Sequence, residues 1–367
     1  MNATRCLVML GGLVAWGLVA GCSTNGGTPA NTGSGGATAA TGGSNGAGSG
    51  GTVGSGGSGP TTGSGGAGSG GNTTTTGSGG AVATGSGGAG GAKDAGATDT
   101  ITDVPIGDGG FPVPPPSPSA GCGMPAGQTL STYVQKNITS GGVARTYRLY
   151  LPGAYDPMRA YPLAILAHGC GGAGGTPFPL ETASKNDAIV VALKSVADCF
   201  EYSPTGPDVT YFDDVLAEVS AGHCVDKARV FMAGFSSGSW LTHTIGCVRA
   251  GIVRAQGNAS GNQVGLPMCK GPIAALFAHD INDDQNSFAG AEVARDRILK
   301  SNSCGTQTLP YEWDSNPSTP STCVEYQGCK PGYPVVWCPT MAPPGQPTHN
   351  NHVPITTVGL WRFWKQF

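Results

Sequence analysis

Residues 131–138 and 143–151 flank Thr139-Ser140-Gly141-Gly142, and in the second stretch Tyr147, Leu149 and Leu151 alternate with Arg148 and Tyr150. Two strand-like stretches on either side of a Gly pair predict an antiparallel hairpin at a sheet edge. Beyond it the period of two disappears. Residues 161–167, 188–193 and 272–279 are runs apolar on both faces, separated by segments long enough for helices, which predicts a parallel sheet covered on both sides. Three intervening segments read as helices: 208–220, with Asp208 as N-cap and Val209, Phe212, Leu216 and Val219 on one face; 237–248; and 288–300. Short strands are expected at 323–326 and 333–337, then a last helix starting near Thr356 or Thr357 and carrying Leu360, Trp361 and Trp364. Strands alternating with helices define an α/β class with a doubly wound, mostly parallel sheet.

Composition changes this picture only at the front of the chain. Of the 367 residues, those from 23 to 92 include no Asp, Glu, Lys or Arg and are almost all Gly, Ser, Thr, Ala or Asn. Such a stretch has too little apolar area to offset its ordering entropy, so it is expected to be disordered. Its Gly-Ser-Gly-Gly units carry no hydrophobic face and cannot stack as a solenoid. Ahead of it, Arg5 and the apolar run 7–19 form a signal-like segment too short to span a membrane comfortably. Leu18-Val19-Ala20-Gly21-Cys22 follows and resembles the lipobox of bacterial lipoproteins, which implies cleavage before Cys22 and lipid on its sulfur. The expected organisation is therefore a signal peptide over 1–21, a lipid-anchored tether over 22–120 and one α/β domain over 121–367. About 95 flexible residues would hold that domain on the order of 50 Å from the lipid surface. Ser23 beside the anchor points to the outer membrane or cell surface, with release from the cell the alternative.

Of 12 cysteines, Cys6 falls in the signal segment and Cys22 is the anchor, leaving ten without C-x-x-C spacing. An even, dispersed set in an exported chain points to disulfides, at most five, and away from zinc, so no metal site is expected. Spacing alone leaves the pairing open. A net charge of −3 with 11% charged residues offers no basic stripe, which excludes nucleic acid as a partner class.

The chemistry converges on Gly234-Phe235-Ser236-Ser237-Gly238, a G-x-S-x-G run directly after an apolar stretch and directly before a helix. Strand, sharp turn and helix are the context in which such a Ser becomes a nucleophile. A Ser hydroxyl needs a His to remove its proton and a carboxylate to orient that His. Chain order nucleophile, acid, base places Asp283 after the strand ending at His279, and His349 or His352 in the loop before the last helix. His349 is the preferred base and His352 the alternative. His168-Gly169-Cys170-Gly171-Gly172 occupies the place of an oxyanion loop, so the backbone N–H groups of Cys170 and Ser237 are the expected donors. Asp280 and Asp284 are read as loop-capping neighbours of Asp283, His168 as a brace, and Trp240 as core or as an aromatic contact for an acyl group.

With these residues in place, the chain resembles the secreted esterases that group feruloyl and acetylxylan esterases with polyhydroxybutyrate depolymerase-like enzymes. The resemblance is carried by Tyr161-Pro162-Leu163 leading to His168-Gly169-Cys170, by residues 224–231, by Gly234 to Gly238, and by His279-Asp280-x-x-Asp283. Val335-Val336-Trp337-Cys338 and Leu360-Trp361-Arg362-Phe363-Trp364 complete it, so it covers 131–367. It implies an α/β-hydrolase fold and cofactor-free hydrolysis of carboxylic esters, most often acyl groups on plant polysaccharide; separately, a monomer that touches membrane only through the lipid on Cys22 is expected. The spacing from His349 to the terminal Trp361 matches the family's base. A polyester depolymerase and a catalytically silent surface binder are the alternative readings.

Overall fold

The computed structural model describes residues 113–262, 268–316 and 319–367. The signal segment, Cys22 and the tether up to residue 112 lie outside the described residues.

Ten strands form one sheet in the order β1-β2-β4-β3-β5-β6-β7-β10-β9-β8. The six central strands are parallel: β4 (Ile189–Leu193), β3 (Tyr161–Ala167), β5 (Val225–Phe235), β6 (Ala255–Ala259), β7 (Ala274–Asp280) and β10 (Val335–Thr340). Antiparallel pairs flank them: β1 (Tyr133–Ser140) with β2 (Val143–Tyr150), and β9 (Val324–Tyr326) with β8 (Thr308–Pro310). The hairpin turn uses Gly141 and Gly142, both with positive φ (55° and 80°), where side-chain-bearing residues would be strained. This is the α/β-hydrolase architecture anticipated above, with the first hairpin strand running on to Ser140 so that only Gly141 and Gly142 form the turn, and with one unanticipated central strand, β6.

Pleating sends alternate residues of the central strands into two layers. On one face Leu163, Ile165 and Met232 meet Val209, Phe212 and Val215 of α2 (Pro207–Gly222), Leu241 and Ile245 of α3 (Ser237–Val248), and Ile298 of α4 (Phe288–Ser301). On the other, Ala164, Leu166 and Phe231 meet Leu180 of α1 (Leu180–Ala183) and Leu360, Phe363 and Trp364 of α5 (Leu360–Trp364). The final helix differs from expectation at its start: a π-helical turn (Ile355–Gly359) precedes α5. Among the described residues no helix is long and apolar enough to cross a membrane.

All ten cysteines of the domain pair, as Cys122–Cys224, Cys170–Cys199, Cys247–Cys269, Cys304–Cys329 and Cys323–Cys338. Residues 117–119, placed in the tether by composition, instead line the start of β5. The Ser119 N–H donates to Val225 O at 2.8 Å, its hydroxyl donates to His223 O at 2.7 Å, and the Ser117 N–H donates to Asp226 Oδ1 at 2.8 Å. Unsatisfied backbone at the edge of a buried strand makes this attachment favourable despite the Pro-rich sequence.

Asp208 also departs from expectation. Pro207 occupies the first position of α2 with Gly206 as N-cap, and Asp208 turns inward to form an ion pair with Arg145 of β2. The two side chains are only 3% and 5% exposed, Asp208 also accepts the Glu201 N–H at 2.7 Å, and the guanidinium stacks 3.7 Å from the Tyr211 ring centroid. Removing one partner strands a buried charge. Asp208→Asn or Arg145→Met should each cost about 3–5 kcal/mol in chemical unfolding, and the double variant less than their sum; independent, additive losses would contradict the pairing.

Candidate active site

The sheet order reverses direction of travel between β3 and β5, so the loops leaving these two strands face each other across a crevice. Ser236 sits at the carboxyl end of β5 with φ 53° and ψ −119°, outside the regions open to ordinary residues. A Cβ on Gly234 would lie 2.1 Å from the Gly238 carbonyl oxygen, and one on Gly238 2.1 Å from the Ala167 carbonyl oxygen. Both glycines are therefore needed for the strand, the turn and α3 to approach this closely. The Ser236 N–H donates to Ala259 O of β6 at 3.0 Å and its carbonyl accepts the Trp240 N–H at 3.1 Å, tying the turn to the sheet and to the helix.

The His168–Gly172 loop closes on the same point. A Cβ on Gly169 would come within 3.1 Å of the Ser236 Cβ. His168 braces the loop: its Nε2 lies 3.3 Å from the Ser195 N–H and so accepts, which leaves Nδ1 to donate to Gly169 O at 2.6 Å. Burial pushes this ring's pKa down, in keeping with a neutral tautomer. Cys170 is held by its bridge to Cys199, and the Phe200 N–H reaches the Ser237 hydroxyl at 3.5 Å. At the first position of α3 the Ser237 N–H has no partner within its own helix, so it points outward from a helix N-terminus.

Of the residues anticipated from sequence, Asp283 and His349 meet directly. His349 Nδ1 lies 2.9 Å from Asp283 Oδ2 and 3.0 Å from Oδ1. Their side chains are 7% and 0% exposed, and the His349 ring centroid lies 5.0 Å from that of Phe235, the neighbour of Ser236. Asp283 also accepts the Asn286 N–H at 2.8 Å and the Gln285 N–H at 2.9 Å on Oδ1. Burial pushes its carboxyl up, but the bond from His349 and those from Asn286 and Gln285 outweigh burial and hold the pKa below the usual value.

The flanking carboxylates do other work. Asp280 is wholly buried and accepts the Asn282 N–H at 2.8 Å and the Ala342 N–H, while Asp284 accepts the Thr348 hydroxyl at 3.3 Å. His352, the alternative base, is engaged at both ring nitrogens, with Ser260 Oγ 2.8 Å from Nε2 and Thr340 Oγ1 3.1 Å from Nδ1. His279 turns Nε2 toward the Asn286 carbonyl at 2.8 Å, 3.5 Å from the Asp283 carboxylate. Trp240 stands edge-on to Tyr202, ring centroids 5.3 Å apart, one helical turn past Ser236. Ser260, Asn286 and Thr340 were not anticipated; each is a single polar residue at a strand end or turn, and only the Asp-x-x-Asn spacing of Asp283 to Asn286 carries a local signal.

Over 282 residues the chain is 30% identical to feruloyl esterase D of Neurospora crassa, spanning 68% of this chain and 91% of that protein. The chain belongs to the feruloyl esterase family. It is a carboxylic ester hydrolase of the α/β-hydrolase fold. The esterase is also 30% identical over 221 residues to feruloyl esterase C of Emericella nidulans, covering 58% of its own length and 78% of the relative's. Among solved structures it resembles acetyl xylan esterase from Aspergillus awamori at a TM-score of 0.49 and 13% identity, over 63% of this chain and 99% of the other. No protein-family model matches the chain.

Burial drives the pKa of His352, and that of His243 on α3, down to about 3, from an ordinary value of 6.5. Both rings are thus neutral in the fold at pH values where the unfolded chain protonates them. Stability is complete above about pH 6.5 and is lost as pH falls toward about 3, by up to about 1.4 kcal/mol per pH unit for each ring. Urea unfolding at stepped pH should show a falling midpoint below pH 6.5, and a midpoint unchanged down to pH 4.5 would contradict neutral burial of these rings.

Proposed function

We propose that this esterase cleaves phenolic acyl or acetyl esters of plant polysaccharide through an acyl-enzyme on Ser236. Asp283 accepting from His349 Nδ1 is the observation that carries the reading, since it leaves Nε2 of the same ring as the base for the Ser hydroxyl. In the first step Nε2 takes the hydroxyl proton as Oγ attacks the ester carbonyl, and the carbonyl π pair moves onto oxygen. The backbone N–H groups of Cys170 and Ser237 receive that oxyanion; each such donor contributes about 2.7–4 kcal/mol to lowering the barrier. Collapse expels the alcohol, which takes the proton from Nε2. Water then repeats the sequence on the acyl-enzyme and frees the acid. Asp283 stays ionised throughout, consistent with its depressed pKa.

A phenolic acyl group is favoured by the relatives' being feruloyl esterases and by the edge-on Trp240 and Tyr202 pair one helical turn past Ser236. Export with a lipid on Cys22 is supported by the apolar run and Leu18-to-Cys22 motif alone; Cys22→Ser should release the protein from membranes, and unchanged membrane retention would count against the anchor.

Ser236→Ala and His349→Ala should each lower kcat on methyl ferulate by about 10⁶-fold while leaving the thermal midpoint nearly unchanged, and Asp283→Asn by about 10⁴-fold. Activity surviving in Ser236→Ala would overturn the roles. Side-by-side rates on methyl ferulate, acetylated xylan and hydroxybutyrate oligomers test the substrate class, and preference for the last would replace polysaccharide esters by polyesters.

A further inference from the structure

His352 is buried two residues after His349's immediate neighbour and lies outside the acid–base pair, yet both its ring nitrogens are bonded. The hydrogens in this cluster can be assigned. Ser260 Oγ lies 2.8 Å from the Asn350 carbonyl oxygen and 2.8 Å from His352 Nε2. A carbonyl only accepts, so the one hydroxyl hydrogen of Ser260 goes to Asn350, and Nε2 must carry the hydrogen that it shares with Ser260. Nδ1 of the neutral ring is then an acceptor and takes the Thr340 hydroxyl at 3.1 Å. The result is a one-way chain from Thr340 through His352 and Ser260 to Asn350.

Ser260 joins this chain to the acid. Its carbonyl accepts the Asn286 side-chain amide at 2.7 Å, and the Asn286 N–H donates to Asp283. With the peptide bond from Asn350 to His349 and the bond from His349 to Asp283, the contacts close a ring around the acid–base pair. Ser260 is fully buried and holds φ 48°, and His352 holds φ 54°, so the ring passes through two residues in the left-handed region. Strain of this kind persists where surrounding contacts over-determine it.

We propose that Ser260 and His352 are positioning residues that act as one unit, setting the distance and angle between His349 and Asp283 by holding the Asn350 carbonyl and the Asn286 amide from a common point. This rests on the roles proposed above for Ser236, Asp283 and His349. The unit reaches His349 and Asp283 only through Asn350 and Asn286, so its loss should appear in kcat and not in KM. Misplacement of a base by about 1 Å costs on the order of 10²-fold in rate.

The test uses the purified enzyme with 4-nitrophenyl acetate and a thermal midpoint for every variant. Ser260→Ala should lower kcat by about 10- to 100-fold with KM within about twofold. Two replacements of His352 separate its ring nitrogens. Gln reaches the position of Nε2 and can still donate to Ser260, whereas Asn reaches only that of Nδ1. Asn tolerates positive φ better than Gln does, so if backbone strain alone matters, Asn is the milder change. The proposal expects the reverse order: His352→Gln within about fivefold of the parent and His352→Asn as damaged as Ser260→Ala, with the double variant Ser260→Ala/His352→Asn no worse than either single one. It is overturned if Asn retains more activity than Gln, if the two losses multiply, or if KM rises in step with kcat falling. Ser236→Ala serves as the reference: if it retains turnover, the site reading fails, whereas failure confined to the Ser260 and His352 variants leaves that reading intact.

Discussion

The turn at Ser236 holds a backbone conformation that costs on the order of 1–3 kcal/mol for a residue with a side chain, and much of the central sheet contributes to keeping it there. β6 accepts its N–H, α3 bonds to its carbonyl, and two glycines allow β3, β5 and α3 to meet within a distance that no Cβ would permit. Because the strain is borne by the sheet centre and not by a loop, the hydroxyl and the Ser237 N–H are presented on a rigid base. The apolar layers on both faces supply that rigidity: β3 and β7 are buried at every position and β5 from Val230 to Gly234, with helices α2, α3 and α4 on one side and α1 and α5 on the other.

Around this base, the carboxyl ends of β6, β7 and β10 carry a framework of polar contacts instead of apolar packing. Asp280 joins the loop after β7 to that after β10 through the Ala342 N–H, and Ser260 joins both the Asp283 turn and the His349 segment. Disulfides sit at the margins of the same region: Cys170–Cys199 restrains the loop facing Ser236, and Cys323–Cys338 ties the strand preceding the His349 segment to its neighbour. Directional bonds suit this end of the molecule, because Asp283 and His349, separated by 66 residues, meet through a hydrogen bond whose angle non-directional packing does not specify.

Much of this was legible in the residues. The elbow, the parallel core and the order Ser236, Asp283, His349 follow from apolar runs and from motif spacing, and His349 does stand against Asp283. What stayed hidden has a common cause. β6 reads Ala255-Gln256-Gly257-Asn258-Ala259, with neither alternation nor an apolar run, and it becomes a strand because β5 and β7 on either side leave it nowhere else to pair. Ser260, one residue beyond, was hidden with it. The Asp208 reversal arose because a buried Arg145 outweighed the local preference of Asp for a helix start. In each case a tertiary partner distant in sequence decided the outcome, and local pattern carries no record of it.

The central claim is that Ser236 is the group acylated during turnover. Labelling the enzyme with a fluorophosphonate, with and without saturating methyl ferulate, and locating the adduct by peptide mass spectrometry tests it most directly. The account requires one adduct, on Ser236, formed at a rate that the ester suppresses. An adduct on any other residue, or none in an enzyme that still hydrolyses ester, would contradict it.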